Sequence, residues 1–176
     1  TSDLVILMID GSSGRFCHQE LKLLSYALES RKAVLVVINK TDLMTETEKT
    51  GFAYDLEEYD FMFKKVPIAR ISCVDKFGIG KIRSHLEALW QRCQTEFNTE
   101  TVTQQIKEEF TRRPLYKQRQ LLKVFKVRSM KSKVPTFQLY VNQPKLFEQA
   151  ELNCIENILR KKYDLRGCPV ILRTIS

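Results

Sequence analysis

The sequence predicts an α/β unit of three parallel strands with helices, followed by a small α+β unit of order α-β-β-α-β. Three observations predict it. Short apolar runs alternate with longer amphipathic stretches up to about residue 96. The pattern changes character near Asn98–Thr103, after which two strand-like segments follow one another directly. The charge changes too: residues 1–96 hold 13 Lys+Arg against 14 Asp+Glu, whereas residues 97–176 hold 16 against 7. The chain's net charge of +8 therefore lies in its second part, which is expected to face something anionic.

In order along the chain, Leu4–Ile9 is a continuous apolar run ending at Asp10-Gly11, as in a strand buried on both faces. His18 to Ser30 carries Leu21, Leu24, Tyr26 and Leu28 at roughly helical spacing. Ala33–Ile38 repeats the buried-strand pattern and is rich in Val. Thr45 to Tyr59 is polar and acidic, a helix on the solvent side. Val66–Ser72 is a third strand, and Gly78 to Phe97 a helix with Ile82, Leu86, Leu89 and Cys93 on one face. This alternation implies parallel strands with right-handed crossovers. In the second part, Thr103 to Arg112 forms a helix striped by Val102, Ile106 and Phe110 and ended by Arg113-Pro114. Leu121–Arg128 and Thr136–Val141 are strands joined by the basic loop Ser129–Val134. In the second of them Phe137, Leu139 and Val141 alternate with Thr136, Gln138 and Tyr140, so one face is buried. Glu148 to Tyr163 is a helix with Leu152, Ile155, Leu159 and Tyr163 on its stripe, closed by Arg166-Gly167. Val170–Arg173 is a last strand, and the helices cover one sheet face.

Composition excludes several classes. Hydrophobic residues make up 43% and charged residues 28%, a globular balance rather than a disordered one. No apolar run approaches the ~18 residues of a membrane span, so no membrane partner is expected. The five cysteines are scattered without a C-x-x-C pair, which argues against a disulfide framework or a zinc site and for a reducing, cytoplasmic compartment. His18 and His85 lie far apart and read as helix-surface residues. The chain opens at Thr1, without Met or a secretory leader pattern, and runs almost at once into an apolar strand, as an internal segment of a longer protein would.

The sharpest motif is Asn39-Lys40-Thr41-Asp42, immediately after the second strand. It matches the Asn-Lys-x-Asp guanine-recognition motif of GTPases. It stands at the carboxyl end of a parallel strand, where α/β sheets take their ligands. A carboxylate accepts two parallel N–H bonds, and guanine offers a ring N–H beside an exocyclic amine; adenine has no such pair. Asp42 would select the base, Asn39 would brace the loop and reach the base edge, and the Lys40 stem would lie along the purine face. The same four residues also make an ordinary turn. A second signal agrees, because the third strand ends in Ser72-Cys73-Val74. GTPases carry Ser-Ala at this point, where a backbone N–H meets the guanine carbonyl oxygen; Cys73 is small and the contact is through the backbone. No G-x-x-x-x-G-K-[ST] phosphate loop is present, since Gly11-Ser12-Ser13-Gly14 lacks the following Lys. Nor does a D-x-x-G stand at a strand end. No catalytic residue is assigned, and this chain alone is expected to bind nucleotide weakly and not to hydrolyse it.

The second part carries Pro135-Thr136-Phe137-Gln138-Leu139-Tyr140-Val141-Asn142, then Pro144, then Ile155-Glu156-Asn157 and Leu159-Arg160, then Gly167-Cys168-Pro169-Val170. This series closely resembles the carboxyl-terminal end of the bacterial EngA/Der GTPases, in which two tandem GTPase domains precede a KH-like domain. The resemblance spans almost the whole chain. It implies that residues 1–96 are the later part of a P-loop-type GTPase domain and 97–176 the KH-like domain. It implies a role in assembly of the large ribosomal subunit, with GTP or GDP and Mg as cofactors of the intact protein. It also implies an upstream GTPase domain of the same protein and the ribosomal subunit or its RNA as partners. Asn39, Lys40, Asp42, Ser72 and Cys73 match the family's guanine contacts. Thr41 stands where the family often has Trp.

KH domains that clamp RNA use a G-x-x-G loop, and residues 97–176 contain a single glycine, Gly167, so that clamp is excluded. The candidates for an RNA-facing surface are Lys123, Lys126, Arg128, Lys131 and Lys133, with Arg112, Arg113, Lys117 and Arg119 nearby in sequence. The alternatives are a solvated basic face, and a protein-interaction module whose basic domain docks on an acidic GTPase surface without meeting RNA.

Overall fold

A computed structural model describes residues 2–176 and divides the chain into two compact units. The first comprises the residues up to Arg92 together with Arg166–Pro169; the second comprises Cys93–Leu165 and Val170–Ser176.

In the first unit, β1 (Leu4–Asp10), α1 (His18–Glu29), β2 (Ala33–Asn39), α2 (Glu46–Glu58), the short α3 (Asp60–Phe63), β3 (Ile68–Arg70) and α4 (Ile79–Cys93) follow in chain order. The sheet has order β1-β2-β3 and every pair is parallel. β2 is central, and Ala33 to Ile38 are all buried, because both of its faces are covered. Val34, Val36 and Ile38 pack with Leu24, Phe52 and Phe63, whereas Leu35 and Val37 pack with Ala69, Ile71, Ile82 and Leu86. Phe16 stacks on Phe63 and meets Phe52 edge-on, at centroid distances of 4.5 and 5.0 Å. β1 is an edge strand, with Ile6 and Met8 exposed. The parallel register sets Asp10, the last residue of β1, beside Asn39, the last of β2.

In the second unit, α5 (Thr99–Arg112) precedes a two-stranded hairpin, β4 (Tyr116–Lys117) and β5 (Gln120–Leu121). β6 (Val124–Met130), β7 (Thr136–Val141), α6 (Gln149–Lys162) and β8 (Ile171–Ile175) complete it. The sheet has order β6-β7-β8, with β6 antiparallel and β8 parallel to β7. Val102 and Ile106 of α5, and Ile155 and Leu159 of α6, form one core with Val127, Phe137, Leu139 and Val141. The α/β class and the α-β-β-α-β order are therefore those expected from the sequence.

Four local expectations are corrected. α5 begins four residues earlier, because the Asn98 carboxamide accepts hydrogen bonds from the N–H groups of Glu100 and Thr101 at 2.9 and 3.0 Å and caps the helix. The segment 116–121, expected to be loop and the start of a strand, is a hairpin turned at Gln118 and Arg119, both with positive φ (50° and 62°). Ser129 and Met130 belong to β6 rather than to the loop, since they pair with Phe137 and Thr136. Arg166-Gly167 does not close α6, which ends at Lys162. Gly167 (φ 80°) instead accepts from Val34 N–H at 3.0 Å and donates to the Lys65 carbonyl at 2.6 Å.

Candidate functional site

The two loops singled out in the first unit meet. Asn39 ends β2, and its Oδ1 accepts a hydrogen bond from the Cys73 N–H at 3.3 Å. Thr41 reaches the same neighbourhood twice, donating its N–H (3.1 Å) and its hydroxyl (2.9 Å) to the Ile71 carbonyl. Ser72 is buried; its N–H donates to the Phe77 carbonyl at 3.0 Å, and its Oγ accepts from Asp75 N–H at 3.0 Å. The bonds Asn39–Cys73 and Thr41–Ile71 thus tie the two loops together at the carboxyl ends of β2 and β3, and Ser72 closes its own loop. Lys40 takes a left-handed conformation (φ 59°), and Thr41–Leu43 form a single 3-10 turn. Asp42 lies exposed in that turn.

A further member was missed in the sequence. Asp10 Oδ2 accepts from the Lys40 ammonium at 2.6 Å, and Asp10 Oδ1 accepts from the Ser12 N–H and hydroxyl at 3.0 and 2.7 Å. The Lys40 contact, then the Ser12 hydroxyl and N–H, hold the Asp10 carboxyl down at about 2. Asp10 therefore stays ionised at neutral pH and fixes the direction of the Lys40 side chain. The neighbouring Gly11 is packed against the loop as well: a Cβ there would meet the Asn39 carbonyl oxygen at 2.5 Å. Asp-Gly ending a strand parallel to the one that ends in Asn39 was the available signal.

The basic candidates of the second unit do not form one cluster. Lys126 and Arg128 lie on β6, opposite Tyr140 and Gln138. Lys123 precedes the strand, on backbone clamped by Asn142, whose Oδ1 accepts from Lys123 N–H and whose amide donates to the Leu121 carbonyl, both at 2.8 Å. Lys131 and Lys133 lie in the turn between β6 and β7. All five are exposed. Lys117 is not available to a partner: its ammonium sits 3.0 Å from Glu148 and 2.9 Å from Glu151, pinning the hairpin to α6. Arg173 on β8 was missed; it stands across the sheet from Gln138 and is exposed.

A parallel α/β unit with an Asn-Lys-x-Asp corner, followed by a one-sided α-β-β-α-β unit, defines the class: a GTPase-type sheet joined to a KH-like module. Residues 97–174 match the family described as the KH-domain-like domain of EngA bacterial GTPase enzymes, C-terminal. The chain is 28% identical over 173 residues to GTPase Der of Mycoplasmopsis pulmonis, covering 97% of this chain and 40% of that protein. It is 27% identical over 181 residues to GTPase Der of Thermoanaerobacter pseudethanolicus, covering 98% and 40%. The matches make the chain similar to the C-terminal region of GTPase Der, and it spans about 40% of the length of these curated relatives. A solved structure of Era in complex with MgGDPNP and nucleotides 1506–1542 of 16S ribosomal RNA covers 98% of this chain and 64% of that chain. It does so at 14% identity and a TM-score of 0.42, too loose to carry ligand positions across.

Among the described residues no helix is long and apolar enough to cross a membrane. No group of three or more His, Cys, Asp or Glu side chains converges to hold a metal ion there either.

Proposed function

We propose that this chain supplies guanine recognition and an RNA-facing KH-like domain to a GTP-binding protein of the EngA/Der type that acts in the cytoplasm on the large ribosomal subunit. On this reading residues 1–96 are the base-binding part of a GTPase domain. The observation that carries it is the hydrogen bond from Cys73 N–H to Asn39 Oδ1. It joins the two loops that guanine would have to touch together: Asp42 for the ring N–H and amine, and the loop after Ser72, where the Cys73 N–H, bonded to Asn39 Oδ1, would have to be shared or released to meet the carbonyl oxygen. The bonds at Thr41 and Ser72 set this corner before any nucleotide arrives, so little ordering remains to be done on binding. The Lys40 stem, aimed by Asp10, forms a wall for the purine face.

Phosphate and magnesium contacts supply most nucleotide affinity in P-loop proteins, and these residues offer neither a phosphate loop nor a carboxylate cluster. Magnesium would therefore belong with residues outside this chain. The test uses a polypeptide in which this chain is joined to a phosphate-binding portion. Asp42→Asn there presents a donor to a donor and should abolish the preference for GTP over ATP. A site built on specific hydrogen-bond pairs discriminates by ~10⁴-fold. An unchanged preference in competitive nucleotide titrations removes Asp42 from the pocket. Co-sedimentation with large ribosomal subunits tests the second unit's part of the reading.

A further inference from the structure

We propose that the open face of the β6-β7-β8 sheet is a stacking platform for single-stranded RNA, and that the KH-like unit meets nucleic acid there rather than in a glycine-clamped groove. The inference deepens the RNA-facing reading and rests on it.

The sheet is one-sided. Val127, Phe137 and Leu139 turn toward α5 and α6, so the residues between them in each strand turn the other way. The register lays them out in two rows across the strands. One row is Lys126, Tyr140 and Ile175, and the other is Arg128, Gln138 and Arg173. A β-bulge adds a ring to the first row. Two residues of β6 are spent against one of β7 between Val124 and Lys126, so Phe125 is the extra residue. Val124 and Val127 are both buried, whereas Phe125 is 53% exposed and Lys126 is exposed beside it. An aromatic ring held out at a bulge, next to a half-buried tyrosine and three cations, serves no core.

Charge is sorted by face. All seven carboxylates after residue 97 lie on α5, on α6 with its cap Glu148, or at Asp164 just beyond. Residues 113–147, which contain β4 to β7, hold none. Lys126, Arg128 and Arg173 therefore meet no acidic neighbour on their own strands. Cations without carboxylates attract phosphate, and exposed rings among them hold bases, because every base has a π face. A duplex keeps its base faces inside its own stack and offers only phosphate and groove edges, so the rings select single strands.

A protein partner is the less favoured occupant. The outer edge of β6, where a peptide strand would add, is blocked by α5: Thr103 Oγ1 accepts from the Val127 N–H at 3.0 Å and lies 3.1 Å from the Val127 carbonyl.

The experiment uses the whole 176-residue chain, a fluorescein-labelled 12-nucleotide single-stranded oligoribonucleotide of mixed sequence, and a fully paired RNA duplex of the same length. Binding is read by anisotropy at about 50 and 150 mM salt. The single strand is expected to bind at least ~10-fold more tightly than the duplex. Phe125→Ala should weaken it about tenfold without changing the salt slope. Phe125→Tyr should restore it, and Tyr140→Leu should behave like Phe125→Ala while Tyr140→Phe does not. Lys126→Ala with Arg128→Ala should instead flatten the slope by nearly one per phosphate lost. Equal binding of both RNAs, indifferent to the rings, would overturn the stacking face and leave an RNA-facing surface. No binding of either RNA at 50 mM salt would overturn the RNA-facing reading itself. Binding of polyglutamate as tight as that of the single strand would reduce the face to a general anion or protein-docking surface and overturn the proposal.

Discussion

Gly167 is the residue whose replacement the structure resolves most sharply. It sits in the first unit at φ 80°, a backbone conformation that costs an L side chain about 1 kcal/mol or more. An alanine Cβ there would lie 2.7 Å from Leu89 Cδ1, 2.7 Å from Pro67 Cδ and 2.9 Å from the Val34 carbonyl oxygen. Leu89 and Val34 are both fully buried, and the Val34 oxygen is backbone of the central strand, so none of the three moves at little cost. Overpacking of this kind costs typically 1–3 kcal/mol. Gly167→Ala is therefore expected to destabilise the first unit by roughly 3 kcal/mol, a loss of about two orders of magnitude in its folding equilibrium. Trp90, the single tryptophan, lies on α4 next to Leu89 and reports that unit. With an m value of ~1–3 kcal/mol/M in urea, the midpoint of the Trp90 fluorescence transition should fall by about 1–3 M. Gly80→Ala is the control, because a Cβ there meets nothing within 4 Å; its midpoint should hold or rise slightly. A Gly167→Ala midpoint equal to that of the parent, with m unchanged, would refute the close approach of this segment to β2 and α4.

Asn39→Ala should release the Cys73 N–H, and hydrogen exchange at Cys73 should quicken several-fold while β2 stays protected; unchanged exchange would mean the two loops are held apart from Asn39. The hairpin 116–121 should be acid-sensitive. Its bond to Lys117 holds the Glu151 carboxyl below its ordinary 4.5, and the contact with Glu151 holds Lys117 above 10.5. The carboxylate's stabilisation is thus complete above about pH 4.5 and is lost as pH falls through its lowered value. Exchange at the hairpin amides should rise in that acid window before α6 loses protection, and Lys117→Met should reproduce the effect at pH 7.

The long elements were legible because their periodicity is strong. Ala33–Ile38 has no polar residue and could only be a doubly covered strand, and Phe137, Leu139 and Val141 announce a one-sided one. What escaped depended on contacts distant in sequence. The hairpin at 116–121 contains no Gly, Asn or Asp to mark its turn, and it is held by Lys117 reaching Glu148 and Glu151 on α6. Gly167 looked like a helix terminator because its neighbour α6 needed one, whereas its left-handed backbone serves a contact with Val34 made more than a hundred residues away. The guanine-type motif was legible as a string of residue types. Its Asp10 support was not, because only the parallel register of β1 with β2 brings that carboxylate to Lys40.

The two units would answer to different variables. Selection of guanine by Asp42 would be a matching of donors to acceptors, and added salt should change it little, since such a contact is short-ranged. Attraction of RNA to Lys126, Arg128 and Arg173 would be released-counterion energy and would fall steeply with salt. A first part balanced between 13 cations and 14 carboxylates would offer that RNA little net attraction, while the second, with 16 against 7, carries its charge without a nucleotide, so on this reading the salt dependence of RNA binding should be the same with and without guanine nucleotide.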